Sequence, residues 1–293
     1  MLFRSRGDVT DLGFPALPYG DFRLSPDGQR LAITVGGADA SVWIYGIERG
    51  TRRLLSTEGR AGSPVWSPDG ERVAYARIGA EGVETVVRTV GSASDAEVLL
   101  PVGEGGSPYV WHETAGLFVT GWGAAWNIGR IRPDEDEREL EILVSTSASN
   151  WGPDVSPDGR WMAYTSDESG RYEIYVRSLG PDARTWPVSV DGGEEPLWSS
   201  DGSALFWRNG NRFMRAAVLE GDGDRFRTGP PEVYVEGAYS NVPGISFNVA
   251  GDDERLLLLR IEGGTERARH LNVVLNWDVE LRRRMSEGSA EGR

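Results

Sequence analysis

Three acidic residues, Asp21, Asp154 and Glu195, have a spacing that could bring their carboxylates together. Each precedes a repeated turn sequence, Asp21 and Glu195 by four residues and Asp154 by two. Asn150 and Asn241 would add amide oxygens in the same place. Because Ca²⁺ binds about six to eight oxygen ligands of these kinds, two interpretations stay open. The three acids hold a Ca²⁺ ion, or they are only hydrated.

A bound ion would also give these acids a reaction to perform. It would polarise a carbonyl or phosphoryl oxygen, with Asp21 or Glu195 as the candidate catalytic nucleophile or base. Other catalytic signatures are absent from the sequence, including the Gly-x-Ser-x-Gly motif, a phosphate loop and a dinucleotide fingerprint. Neither of the two histidines, His112 and His270, has a spacing that indicates a Ser–His–Asp arrangement.

Aromatic residues provide a second candidate site. Trp122 and Trp126 are separated by small residues, and Trp151 follows in the next repeat. Large aromatic side chains among flexible neighbours can wall an apolar pocket, although packing between repeats is an equally simple use for them. The predicted ligand-binding residues are Tyr109, Trp122, Trp126, Asn150, Trp151 and Asn241.

The elements that position these residues follow from an internal repeat. The phrase Ser-Pro-Asp-Gly occurs at 25–28, 67–70 and 156–159, and a variant occurs at 199–202. With His112 and Ala250 as the degenerate equivalents of the serine, the steps are 42, 45, 44, 43 and 51 residues. Such a period, with several short strands in each unit, is typical of a β-propeller. The sequence therefore predicts an all-β, six-bladed β-propeller with four-stranded antiparallel blades.

The chemistry of the phrase explains why it recurs. Proline sets the φ of the second turn position, aspartate bonds to nearby backbone, and glycine takes the position that needs a positive φ. Because the last repeat lacks a clear fourth strand, we expect residues 1–12 to pair with strand 271–277 and so close the ring. The predicted organisation is one propeller over 1–278 and a charged helix or tail over 279–293.

Composition excludes several classes of function. A formal net charge of −14 argues against binding to nucleic acid or to acidic membrane surfaces. The chain has no cysteine, so it has neither disulfides nor thiol chemistry. It also has no apolar run of membrane-spanning length and no signal-peptide pattern. We expect a soluble, monomeric chain that does not insert into a membrane.

The motifs at 65–70 and 164–176 resemble those of the TolB-like six-bladed propeller family. The closing segment 271–277 is similar to a narrower group, the propellers C-terminal to bacterial membrane-bound serine/threonine kinases. The resemblance spans nearly the whole chain and is weakest in the third repeat, where His112 replaces the serine. It implies an extracytoplasmic scaffold that binds partners or ligands, without a conserved reaction.

Two functions from different classes follow from the sequence. In the first, the chain is a non-catalytic sensor or scaffold that binds a small ligand or a protein partner at the mouth of the central channel. In the second, it is a Ca²⁺-dependent hydrolase of lactones, esters or phosphotriesters, with the ion in the channel. The TolB-like turn phrase favours the first.

Overall fold

The computed structural model describes residues 9–12, 14–15, 17–121, 126–135, 138–222, 225–251, 253, 255–260 and 270–275. The predicted tail 279–293 lies outside these residues. Within them the chain forms antiparallel β-sheets. A search of the same residues finds no helix with the length and apolar character needed to span a bilayer.

The first strand of the chain is β1 (Val9–Asp11). Sheet 1 contains β2 (Tyr19–Leu24), β3 (Arg30–Val35), β4 (Ser41–Gly46) and β5 (Thr51–Leu54). Sheet 2 contains β6 (Arg60–Trp66), β7 (Arg72–Ile78), β8 (Val83–Thr89) and β9 (Glu97–Leu100). Sheet 3 contains β10 (Gly106–His112), β11 (Gly116–Gly121), β12 (Ile128–Ile131) and β13 (Glu141–Val144).

Sheet 4 contains β14 (Asn150–Val155), β15 (Trp161–Ser166), β16 (Glu173–Ser178) and β17 (Thr185–Pro187). Sheet 5 contains β18 (Glu194–Trp198), β19 (Ala204–Asn209), β20 (Arg212–Asp222), β21 (Arg225–Thr228) and β22 (Glu232–Glu236). Sheet 6 contains β23 (Phe247–Val249), β24 (Arg255–Arg260) and β25 (His270–Leu275), with β1 beside β25. The pairs Val9–Val274 and Asp11–Asn272 set the register of that last pairing.

The repeated turn joins the first two strands of a sheet through one serine hydroxyl. Ser156 Oγ donates to Asp158 Oδ1 at 2.6 Å and accepts the backbone amide of Trp161 at 3.0 Å. Gly159 closes the turn onto the Ser156 carbonyl at 2.8 Å with a φ of 71°. The side chain thus satisfies a backbone donor that the tight turn leaves without a strand partner.

The degenerate turn of sheet 3 keeps this chemistry through a histidine ring. In sheet 3, His112 Nδ1 accepts the backbone amides of Thr114 and Ala115, each at 3.2 Å. Its Nε2 therefore carries the proton and donates to the Pro157 carbonyl at 3.1 Å. His112 is a structural residue that replaces the serine of the phrase.

The inner strands β2, β6, β10, β14, β18 and β23 contact one another in that order, and β23 also contacts β2. The Asn248 side chain makes the last of these connections. It donates to the Phe22 carbonyl and accepts the Leu24 amide, both at 3.0 Å. Since backbone groups at a sheet edge need partners, this amide links the last inner strand to the first.

Apolar and cation–π contacts fill the space between sheets. Arg30 of sheet 1 lies 4.6 Å above the ring of Trp66 in sheet 2, and Arg72 lies 4.7 Å above Trp111 in sheet 3. The equivalent position in sheet 4 is Trp161, which packs against other aromatic rings of sheets 4 and 5. The core is therefore a series of layers between neighbouring sheets.

Removing residues 1–12 should lower the melting temperature by about 5 °C or more. The truncation takes away β1, so the backbone of β25 loses its outer partner. Circular dichroism melts of the truncated and full-length chains measure the difference. A chain ending at residue 278 is the control, and equal melting of the full-length and N-terminally truncated chains would contradict the pairing.

Candidate functional site

Asp21 lies on β2 and is 8% exposed. Thr34 Oγ1 donates to its Oδ1 at 2.5 Å, and the Ser63 hydroxyl and backbone amide are further donors. Burial raises the pKa of this carboxyl, while Thr34, the charge of Arg23 and Ser63 oppose the rise. Asp21 is therefore a desolvated acid held in place by two hydroxyls.

Glu195 lies on β18 and is 1% exposed, with a φ of 59° at the strand's bulge. It accepts the backbone amide and the hydroxyl of Ser246, each at 2.7 Å from Oε2. Burial raises the pKa of Glu195 to about 7, against the opposing effects of Ser246 and Arg208. This acid joins sheet 5 to sheet 6.

Asp154 lies on β14 and accepts the backbone amide of Trp198 at 2.7 Å. Burial raises its pKa to about 6, and the Trp198 hydrogen bond and the charge of Arg23 limit the rise. Asp154 therefore joins sheet 4 to sheet 5, as Glu195 joins the next pair.

Arg23 supplies positive charge between these acids. Its guanidinium reaches from sheet 1 to sheet 3, where Nη2 donates to the Tyr109 carbonyl at 3.0 Å. Burial lowers the pKa of Arg23, whereas Asp154, Asp21 and Glu195 raise it. Across the described ranges, no three His, Cys, Asp or Glu side chains are close enough to hold a metal ion. The three predicted metal ligands thus lie on different sheets, and each is hydrogen-bonded to its own partners and does not belong to such a cluster.

A cavity of about 300 Å³ lies beside Asp21, and we call it the mouth cavity. Its walls come from the first two strands of sheets 1, 2 and 3 and from the loop at 243–244. The polar groups in the wall are Asp21, Thr34, Arg60, Ser63, Ser107, Tyr109 and Thr120. The apolar groups include Ala40, Ala61, Ala76, Ile78 and Trp126. Its size is at the lower end of the range for small-molecule sites.

One hydroxyl in this wall has no partner. Thr120 is 2% exposed, and no group in the described residues hydrogen-bonds to its Oγ1. By contrast, the hydroxyls of Ser63 and Ser107 are hydrogen-bonded to each other, with their oxygens 3.1 Å apart. An unsatisfied buried hydroxyl costs about 1–3 kcal/mol, and Thr120 places such a group in the cavity wall.

The predicted aromatic residues are divided between cavity and core. Tyr109 and Trp126 line the mouth cavity, and Trp126 is 39% exposed. Trp151 is buried in an apolar cluster with its ring edge-on to Tyr172 at 5.9 Å. Trp122 lies outside the described residues.

The predicted amides have different environments. Asn150 is fully buried and donates to the Thr146 hydroxyl and the Ala148 carbonyl, both at 2.9 Å. Asn241 is exposed in the loop that precedes β23. Neither residue is part of the cavity wall described above.

Several cavity residues were missed by the sequence analysis, namely Thr34, Arg60, Ser107 and Thr120. Thr34 and Thr120 belong to second strands, whereas the three predicted acids precede the turn phrase on inner strands. A useful signal was the small-residue sequence at 61–63, because small side chains on an inner strand leave room for a cavity.

The wild-type protein should lose stability as the pH rises from 5 to 8, and the Glu195→Gln variant should lose less. The folded-state pKa of about 7 exceeds the ordinary 4.5, so the stability from the protonated form is complete below 4.5. This contribution to the free energy of unfolding, on the order of 3 kcal/mol, is lost as the pH rises through 7. Melting temperatures across this range measure the effect. The exposed Glu48→Gln is the control, and an unchanged pH profile in Glu195→Gln would refute the assignment.

No family model matches the sequence. The uncharacterized protein Atu1656 of Agrobacterium fabrum is 26% identical over 228 residues, which cover 75% of this chain and 72% of that protein. The uncharacterized peptidase YuxL of Bacillus subtilis is 30% identical over 165 residues, which cover 53% of this chain. The matched region is only 24% of the length of the peptidase.

Solved structures with the same fold include TolB from Acinetobacter baumannii. It aligns with a TM-score of 0.60 at 16% identity, over 85% of this chain and 64% of TolB. An oligogalacturonate lyase in complex with manganese aligns with a TM-score of 0.58 at 13% identity, over 87% of this chain and 76% of the lyase. At these identities the likeness concerns the fold alone. The chain is an all-β protein with the β-propeller fold of TolB.

Proposed function

We propose that this chain is a non-catalytic, TolB-like binding module that takes a small ligand in the mouth cavity. The observation that supports this most is the unpartnered Thr120 hydroxyl in the wall of an open cavity beside the buried Asp21. Ligand sites typically combine an apolar wall with a few fixed polar groups. A sensor or scaffold role follows, in which the ligand or a loop of a protein partner occupies the cavity.

The architecture of this module is part of the proposal. Residues 1–278 form one six-bladed ring, closed by β1 in sheet 6, with 279–293 as a tail. The order of contacts between inner strands and the Asn248 link support a ring. The resemblance to kinase-associated and TolB-like propellers supports an extracytoplasmic location and a small molecule or protein as the bound partner. The net charge of −14 opposes binding to nucleic acid, and we propose a monomer that does not insert into a membrane.

A Ca²⁺-dependent hydrolase is the second candidate. The raised pKa of Asp21, in contact with an open cavity, is suited to general acid or base chemistry on an ester. Against it, Arg23 already places a positive charge among the acids that would hold the ion.

Filling the cavity should abolish ligand binding. A side chain at Gly62 would enter the cavity wall, where a Cβ meets only Thr34 at ordinary contact distance. Fragment molecules of up to about 20 heavy atoms, screened by ligand-observed NMR, should bind the wild type and lose binding in Gly62→Leu. Gly180→Leu, where a Cβ meets nothing within 4 Å, is the matched control. Fragments that bind all three chains equally would refute the proposed site.

Thr120→Val tests the same site without changing its volume. Because the hydroxyl has no internal partner, its removal should leave the melting temperature unchanged or slightly raised. Fragments that hydrogen-bond in the cavity should bind more weakly to this variant. A large loss of stability would show that the hydroxyl has an internal structural role.

Chelation separates the two functions. A non-catalytic module should keep its melting temperature in excess EDTA and should not hydrolyse activated esters or phosphotriesters. A chelator-sensitive melt, with ester hydrolysis lost both in EDTA and in Asp21→Asn, would establish the hydrolase instead. Elemental analysis of the purified chain identifies any ion that is retained.

A further inference from the structure

One side of the mouth cavity is formed by the Asp21 carboxyl, whose partners are hydrogen-bond donors and the nearby charge of Arg23. Asp21 forms no ion pair with a described residue, and Arg23 directs its guanidinium to the Tyr109 carbonyl. Asp21 and Gly244 both line the cavity, and a Cβ on Gly244 would stand only 2.8 Å from Asp21 Oδ2. A cationic donor in the cavity would restore the electrostatic stabilisation that this carboxyl loses on burial.

A free positive group belongs to the same cavity. Arg60 begins β6, is exposed, and has neither an ion pair nor a side-chain hydrogen bond within the described part of the chain. It precedes Ser63 by three residues, which is about 10 Å along an extended strand. Ser63 is at the depth of Asp21 because its hydroxyl and amide bond to that carboxyl. The two charges are therefore at different depths.

Apolar side chains occupy the wall between these charges. Ala61 and Ala76 are buried, and Ile78 pairs with Arg60 across the first two strands of sheet 2. A ligand that used both charges would place its apolar spacer against this wall.

We propose that the mouth cavity selects a short zwitterion, with its ammonium group at Asp21, its carboxylate at Arg60 and an apolar spacer between them. This inference rests on the proposed function and names the ligand class of that site. α-Amino acids hold their charges too close together to use both ends well, so longer ω-amino carboxylates or short peptides fit the spacing better.

The test compares molecules that differ in one charge. We expect 6-aminohexanoate to bind at least tenfold more tightly than hexanoate or hexylamine, and more tightly than glycine, in isothermal titration calorimetry with the full chain. Asp21→Asn should remove the advantage over hexanoate, and Arg60→Gln the advantage over hexylamine. Arg49→Gln, an exposed arginine outside the cavity, should change neither ratio.

The pH dependence provides a second measurement. Above about pH 5.5, where the carboxylates of both probes stay ionised, binding of 6-aminohexanoate should weaken on acidification as Asp21 takes up a proton, whereas binding of hexanoate should not. Arg23, Tyr109 and Glu195 are the other ionisable groups near Asp21. Glu195→Gln should therefore retain the effect, and Asp21→Asn should lose it.

The outcomes separate the two proposals. Equal binding of the three six-carbon probes, all lost in Gly62→Leu, would overturn the zwitterion inference and leave the proposed site intact. If none of the three probes binds, the zwitterion inference is also overturned, and the fragment screen alone tests the proposed function. Probe binding that persists in Gly62→Leu would contradict both.

Discussion

Hydrogen bonds between neighbouring inner strands are the interaction on which the rest of this structure depends. Glu195 accepts two donors from Ser246, and Asp154 accepts the Trp198 amide. Trp66 Nε1 donates to the Arg23 carbonyl at 3.0 Å. Burying such polar groups without partners would cost about 1–3 kcal/mol each. The sheets are therefore held in place by polar contacts as well as by their apolar layers.

This constraint explains why acids at equivalent positions have different environments. Glu195 is enclosed by Ser246 and by the buried Arg208, which also donates to the Ser246 hydroxyl at 2.7 Å. Asp21 faces a neighbour, sheet 2, whose inner strand has only Gly62 and Ser63 at that depth. These small residues leave a cavity. The carboxyl of Glu195 is therefore enclosed by its partners, whereas the carboxyl of Asp21 lies beside a cavity that can hold a ligand.

The positions of the repeats could be predicted from the sequence because the turn phrase acts locally. Ser156 and Trp161 are five residues apart, so their hydrogen bond can be inferred from a four-residue pattern. The sequence also showed that His112 stands in the place of the turn serine, and its ring bonds two amides within three residues of it. The sequence analysis did not identify the cavity, since Thr34 and Thr120 are on second strands of different sheets.

The sequence alone determined the repeat, the turn chemistry and the β-propeller class, because each depends on contacts within a few residues. Only the tertiary structure decided which groups the acids Asp21, Asp154 and Glu195 contact. Asn248 bonds to Phe22 across 226 residues, and Arg23 bonds to Tyr109 across 86. No local pattern specifies which groups meet at such separations. Whether a carboxylate binds an amide, an arginine or a ligand depends on what neighbouring sheets place beside it.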